Sequence, residues 1–220
     1  MNLQDYIILP GEVYNGKDLL VAKQRTHKNF SWKQAHITLQ EKNAFMLPPR
    51  VFFHFLRYIN EEKVYNGKGN RVSDEEKLQI LHQYTDEWLD AHFTELEGVL
   101  YLERSHLLKG NVLTPQISNR YVDLATNRIP PNGINLMELI LHPTGTGLPA
   151  KDIQKGKDYF LSPRLDGVMR WLAEDQKKGI ACRKHPDYND PSVGVRVACL
   201  REEIVYAKND PNALVEKAVA

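Results

Sequence analysis

Tyr159 to Val197 read YFLSPRLDGVMRWLAEDQKKGIACRKHPDYNDPSVGVRV. Three short apolar pieces in this stretch have the composition of strands: Tyr159-Phe160-Leu161, Val168 to Leu172, and Val193 to Val197. Between the last two lies a segment dense in Lys, Arg, His, Asp and Tyr, which cannot bury a core of its own and is expected to ride on the strands as exposed loop. Its basic members Lys177, Lys178, Arg183, Lys184 and His185, with Trp171 and Tyr188 nearby, have the makings of a phosphate-binding and base-stacking patch. Asp175, Asp187 and Asp190 sit among them and blunt it, so a nucleic-acid partner is not expected. A mixed-charge loop fits a protein or glycan surface, with a merely solvated loop as the alternative.

The chain has 220 residues, enough for one well-buried domain, here placed at 1–204 with a polar tail at 205–220. Its 29 Lys and Arg against 28 Asp and Glu leave no overall field to draw it onto nucleic acid or an anionic membrane. No apolar run is long enough to span a bilayer, and the first residues lack the basic start and apolar stretch of a secretory signal. The expectation is a soluble protein made in the cytoplasm. Cys182 and Cys199 are too few for a disulfide framework or a Cys-only zinc site; a single bridge is open, and buried free thiols are expected.

Earlier in the chain, Tyr6 to Leu9 ahead of Pro10-Gly11, and Leu19 to Ala22, read as strands. Val13 to Lys17 and Val64 to Lys68 are the same five-residue word, but their flanks differ and both read as Asn-Gly turns. Ser31 can cap a helix running to about Asn43, with Trp32, Ala35 and Leu39 on one face. Pro49 suits the first turn of a second helix with Phe52, Phe55, Leu56 and Ile59 inward. Ser73 to Glu76 has capping-box spacing and predicts a third, with Leu78, Leu81 and Tyr84 inward. A hairpin is expected where His92-Phe93-Thr94 and Val99 to Leu102 flank Glu97-Gly98. Lys109 to Pro131 shows little periodicity and reads as irregular, and Ile134 to Leu141 as a short helix before a turn-rich Thr144 to Gly147. The class is α+β.

No motif in the chain specifies a catalytic chemistry. Thr144 to Gly147 lacks the Lys-Ser/Thr of a phosphate loop, and no nucleophile-elbow sequence occurs. The eight His residues fall in no metal-ligand spacing on a helix, so each is expected to be solvated or singly bonded. Asp86, Glu87 and Asp90 around Trp88 read as solvated charges at a helix end rather than an acid–base pair. No metal and no cofactor is expected.

The C-terminal residues carry a family resemblance. Val168-Met169-Arg170-Trp171, Ala173-Glu174-Asp175, Cys182, Pro186 and Val193-Gly194-Val195-Arg196 resemble, in order and spacing, the variable segment of C-type-lectin-fold proteins diversified by retroelements in archaea, their viruses and small-genome bacteria. Glu87 to Ala91 and Gly147-Leu148-Pro149 are similar to the same group, and Phe45 to Pro48 is similar to the Leu-Pro helix start of the formylglycine-generating-enzyme-like branch.

The resemblance implies a C-type lectin fold that binds a ligand without catalysis. It implies that Val168, Arg170, Trp171, Val193 and Arg196 are structural. The contact set it implies is Leu172, Gln176, Lys177, Gly179, Ala181, Arg183, Lys184, His185, Asp187, Tyr188, Asp190, Pro191 and Ser192. A pre-organised sheet displaying such side chains loses little entropy on binding. The calcium-ligand triplets of true C-type lectins are absent, so the implied recognition is calcium-independent. Gln176, Lys177 and Lys184 are residues that adenine-directed diversification of Asn codons does not generate, which implies a fixed surface or an unusual template. The alternatives are an oxidoreductase of the formylglycine-generating kind, which would need a reactive cysteine pair, and a viral tail-tip subunit. A virion or surface location follows only from the resemblance, and the oligomeric state is open.

Overall fold

The computed structural model describes residues 1–82, 86–121, 133–150, 152–173 and 178–201. In chain order the strands are β1 (Tyr6–Leu9), β2 (Leu19–Ala22), β3 (Phe45–Met46), β4 (Asp86–Leu96), β5 (Val99–Lys109), β6 (Val112–Arg120), β7 (Tyr159–Leu161), β8 (Gly167–Leu172), β9 (Gly179–Lys184), β10 (Val193–Gly194) and β11 (Val197–Leu200). The α-helices are α1 (Trp32–Gln40), α2 (Pro49–Ile59), α3 (Asp74–Leu81) and α4 (Leu136–Leu141). The α+β class holds. Among the described residues the strands form a four-stranded sheet in the order β1-β2-β11-β3 and a larger one in the order β6-β5-β4-β8-β9-β7, with β10 lying parallel to the start of β4.

Strand alternation decides what each face of the larger sheet buries. Leu89, Ala91 and Phe93 of β4, Met169 and Trp171 of β8, and Ile180 and Cys182 of β9 join Phe52, Phe53 and Phe55 of α2 in one core cluster. Trp88 of β4 and Val168 of β8 join Trp32, Ala35 and Leu39 of α1 in another. The first three helices start where the sequence places them, whereas α4 begins at Leu136, after the Asn135 cap, because Ile134 is held in a β-bridge. Ser31 accepts from the Gln34 amide while the Gln34 side chain accepts from the Ser31 amide, a full capping box, and Pro49 occupies the first turn of α2. Two indoles pin α1 to the sheet: Trp32 Nε1 donates to the Leu89 carbonyl at 2.8 Å, and Trp88 Nε1 to the Phe30 carbonyl at 3.1 Å.

Four sequence expectations need correction. Asp86, Glu87 and Asp90 belong to a strand, and all three are buried. The region after Lys109 contains β6, which pairs with β5 along its length; as the edge strand it tolerates Pro115 and leaves most side chains exposed, so its sequence lacks an apolar period. The strand expected at Val193 to Val197 is broken between two sheets at Arg196. In α3 it is Lys77 and Ile80 that are buried, while Leu78 is exposed. Tyr84, part of the irregular stretch at 122–131, and the tail at 205–220 lie outside the described residues.

The break at Arg196 has a physical cause. Its Nη1 donates to the Ala22 and Lys23 carbonyls at 2.8 and 2.6 Å, its Nε lies 3.3 Å from Glu87 Oε1, and its guanidinium covers the Phe55 ring. Arg25 Nε reaches the other Glu87 oxygen at 2.6 Å. Glu87 on the larger sheet thus binds two guanidiniums held by the chain around the smaller one, all of it buried. Burial pushes the Arg196 guanidinium down to about 10 and Glu87 pushes it back up, so the ion pairs persist at neutral pH. Removing one partner of such a group leaves buried charge uncompensated, so Glu87→Ala is expected to cost about 3–5 kcal/mol in urea unfolding. Leu78→Ala, at an exposed position, is expected to stay within about 0.5 kcal/mol.

Candidate functional site

The segment between β9 and β10 crosses the α1 side of the sheet and is anchored to it at two points. The Lys33 amide at the start of α1 donates to the Pro186 carbonyl at 3.1 Å. Arg170 of β8 donates through Nη1 to Asp190 Oδ2 at 2.9 Å, and its Nε lies 3.5 Å from Asp86 Oδ2. Asp190 Oδ1 accepts from the Ser192 amide at 3.0 Å and hydroxyl at 2.6 Å, closing the end of the loop on itself. Burial works against the Asp190 charge, but the Ser192 bonds and the Arg170 and Lys184 charges outweigh it and hold the carboxyl below its ordinary range.

On this frame Arg183, His185, Asp187, Tyr188, Pro191 and Ser192 are exposed, and Lys184 and Asp190 are half-buried. Lys184 Nζ sits 3.8 Å from the centre of the Tyr188 ring, so this exposed aromatic already carries a cation on one face. Arg183 is steadied by the Ser162 carbonyl at 3.2 Å and hydroxyl at 3.3 Å. Three members of the expected contact set lie beneath this surface instead of on it. Leu172 and Ala181 are buried, because β9 is a true strand paired with β8 and β7. Gly179 is buried too, and a Cβ there would stand 2.0 Å from the Tyr159 carbonyl oxygen, so no side chain fits. Gln176 and Lys177 lie outside the described residues.

The same face of β4 carries a second polar feature that the sequence reading missed. Asp90, two residues from Trp88, is buried and accepts from two directions. His106 Nδ1 lies 2.5 Å from Asp90 Oδ1, the His106 amide donates to Asp90 Oδ2 at 3.1 Å, and His36 Nε2 of α1 lies 3.3 Å from Oδ1. Burial opposes charge on Asp90, yet the two imidazoles win and hold its carboxyl well below the usual range. Trp32 packs against both rings, with centroids 4.2 Å from His36 and 5.0 Å from His106.

His92 follows on β4 and faces Glu103 across the β4–β5 ladder, Nδ1 to Oε2 at 3.8 Å. Plain alternation along β5 would put His106 with Leu102 and Arg104, on the side away from Glu103. Ser105 breaks the alternation with a φ of 56°, in the left-handed region, and His106 turns to the α1 side. The Gln40 side chain, donating to the His106 carbonyl at 2.7 Å and accepting from the Leu108 amide, fixes the backbone there. Ligand atoms of His92, Glu103 and His106 consequently lie within 4.8 Å of one another, as do those of His36, Asp90 and His106. Burial pushes the His92 imidazole down to about 4, with His106 adding to the effect and Asp166 opposing it.

Cys182 and Cys199 are free buried thiols in separate core clusters, and burial pushes the Cys182 thiol well above its ordinary value. Comparison of the chain with protein-family models, with curated proteins and with solved structures finds no match.

Asp190 is the latch of the exposed segment. Asp190→Ala is expected to speed amide hydrogen exchange across 185–192 by the loss of about 1.5–3 kcal/mol of local closing, with the exchange of β8 unchanged. Because the Asp190 carboxyl is held low in the fold, this closing is present above an ordinary carboxylate pKa of about 3.9 and is lost as pH falls through the folded value.

Proposed function

We propose that this protein is a ligand-binding module in which the sheet displays the segment from Arg183 to Ser192 to a protein or cell-surface partner, without calcium. The single observation that carries the reading is that most side chains of this segment are exposed while the segment is tied to α1 through the Pro186 carbonyl and to β8 through the Asp190 carboxylate. Such a surface has already lost the entropy that a free loop would lose on binding. Tyr188 and Arg183 supply an aromatic and a planar cation, the residue types that anchor interfaces. Leu172, Gly179 and Ala181 form the fixed floor.

The C-type lectin fold and the kinship with retroelement-diversified variable proteins belong to this proposal. The α+β architecture, helices on both faces of one sheet and terminal strands meeting in another are compatible with them. Against the oxidoreductase alternative stand the two thiols: they occupy different clusters, and burial suppresses the thiolate at Cys182.

The test is binding to a printed glycan array and a protein array, each run with and without EGTA. We expect saturable binding that EGTA leaves unchanged and that the Arg183→Ala/His185→Ala/Tyr188→Ala triple variant loses while keeping its thermal transition. Binding that survives in the triple variant, or a transition that collapses with it, contradicts the proposal.

A further inference from the structure

We infer that His92, Glu103 and His106 form a binding site for a divalent first-row transition-metal ion, with Asp90 and His36 behind it. The donor set is two imidazoles and one carboxylate, the mixture that suits zinc and its neighbours in the first transition row. Of the two groupings around His106, the geometry selects this one. Donors bound to one ion at about 2.0–2.2 Å stand roughly 3 Å or more apart. His106 Nδ1 and Asp90 Oδ1, at 2.5 Å, are closer than that and are hydrogen-bonded to each other. His92 Nδ1 and Glu103 Oε2, at 3.8 Å, need only a small closure of a partly exposed Glu side chain.

Asp90 then does what an outer carboxylate does for a metal-bound imidazole. By accepting from Nδ1–H it fixes the tautomer and leaves the Nε2 lone pair of His106 available. That Nε2 is buried and has no hydrogen-bond partner among the described residues. On His92 it is Nδ1 that faces Glu103, while Nε2 lies 3.8 Å from the Asp166 carboxylate. Protonating His106 at Nε2 would bury an N–H without an acceptor, whereas a metal ion uses the lone pair directly. The charges agree as well: a divalent ion offsets the carboxylates of Asp90 and Glu103, one hydrogen-bonded beneath it and one bound to it. The side chains of His92 and Glu103 are 17% and 21% exposed, so solvent reaches the site from the Glu103 side and a coordination position is left for water or a small ligand. His36 and Trp32 close the site from the α1 side.

The experiment is calorimetric titration of the chelator-stripped full chain with Zn²⁺, paired with Co²⁺ absorption spectra. A single saturable equivalent of Zn²⁺ is expected, with a Co²⁺ spectrum showing nitrogen ligation. His92→Gln and Glu103→Gln, both at part-exposed positions, are each expected to weaken Zn²⁺ at least about tenfold while the metal-free thermal transition stays in place. His106→Gln risks the fold and is not needed for the decision. No saturable Zn²⁺ binding, or unchanged affinity in the folded His92→Gln/Glu103→Gln double variant, overturns the assignment, as does a preference for Ca²⁺ over Zn²⁺.

Discussion

Glu87 is the point at which the two sheets become one structure. Its carboxylate lies on β4 of the larger sheet, with no exposed surface, and its two oxygens meet Arg25 and Arg196 from the chain around the smaller sheet. A charge in that position is costly unless it is paired, so the arrangement admits few alternatives. Sliding β4 by one residue would put Glu87 against Trp32 and His36 and bring Trp88 to the guanidiniums, and every side chain on both faces would be misplaced. The ion cluster therefore contributes register and sheet-to-sheet geometry more than raw stability. Arg196 also explains why the last strand divides: its residue sits where the chain leaves β4 for β2, and its donors satisfy carbonyls at the end of β2.

With the α2 face of β4 fixed by Glu87, alternation delivers Asp86, Trp88, Asp90 and His92 to the α1 face. Asp86 and Asp90 then hold neighbouring groups in place. Asp86 accepts from the Ala173 amide at 2.9 Å and lies against Arg170, which in turn holds Asp190 and the exposed segment. Asp90 orients His106 and, with His36, keeps a carboxylate charged in the interior. The supports of the exposed segment and of the proposed metal site are therefore neighbours on one strand, separated by Trp88 and the bulge that shifts the β4–β8 register between Trp88 and His92.

Much of the fold was legible in the sequence because local signals suffice for short, capped or punctuated elements. Tyr6–Leu9, Leu19–Ala22 and Tyr159–Leu161 have the bounds their apolar runs suggest, and α1 and α2 begin at Ser31 and Pro49 as their capping chemistry requires. What failed locally was decided by long-range pairing. The start of β4 looked like a helix end because its carboxylates read as solvated, yet Leu89, Ala91 and Phe93 alternate with Trp88, Asp90 and His92, a period of two that outweighs the charges. The histidine site was invisible for a different reason: its members come from α1, β4 and β5, and the left-handed Ser105 that brings His106 round has no sequence signature. Of the expected contact set, Arg183 near the end of β9 and most of the residues after it are exposed, and exposure is lost where Gly179 and Ala181 pair in the sheet.

Native-state hydrogen exchange across β2, β11 and β4 in low denaturant tests the central claim, that the Glu87 ion cluster couples the two sheets into one cooperative unit. The account predicts that the amides of Leu20, Cys199 and Leu89 lose protection together, at the free energy of global unfolding. Exchange of Leu20 and Cys199 through a lower-energy opening that leaves Leu89 protected would show the smaller sheet folding on its own and contradict it.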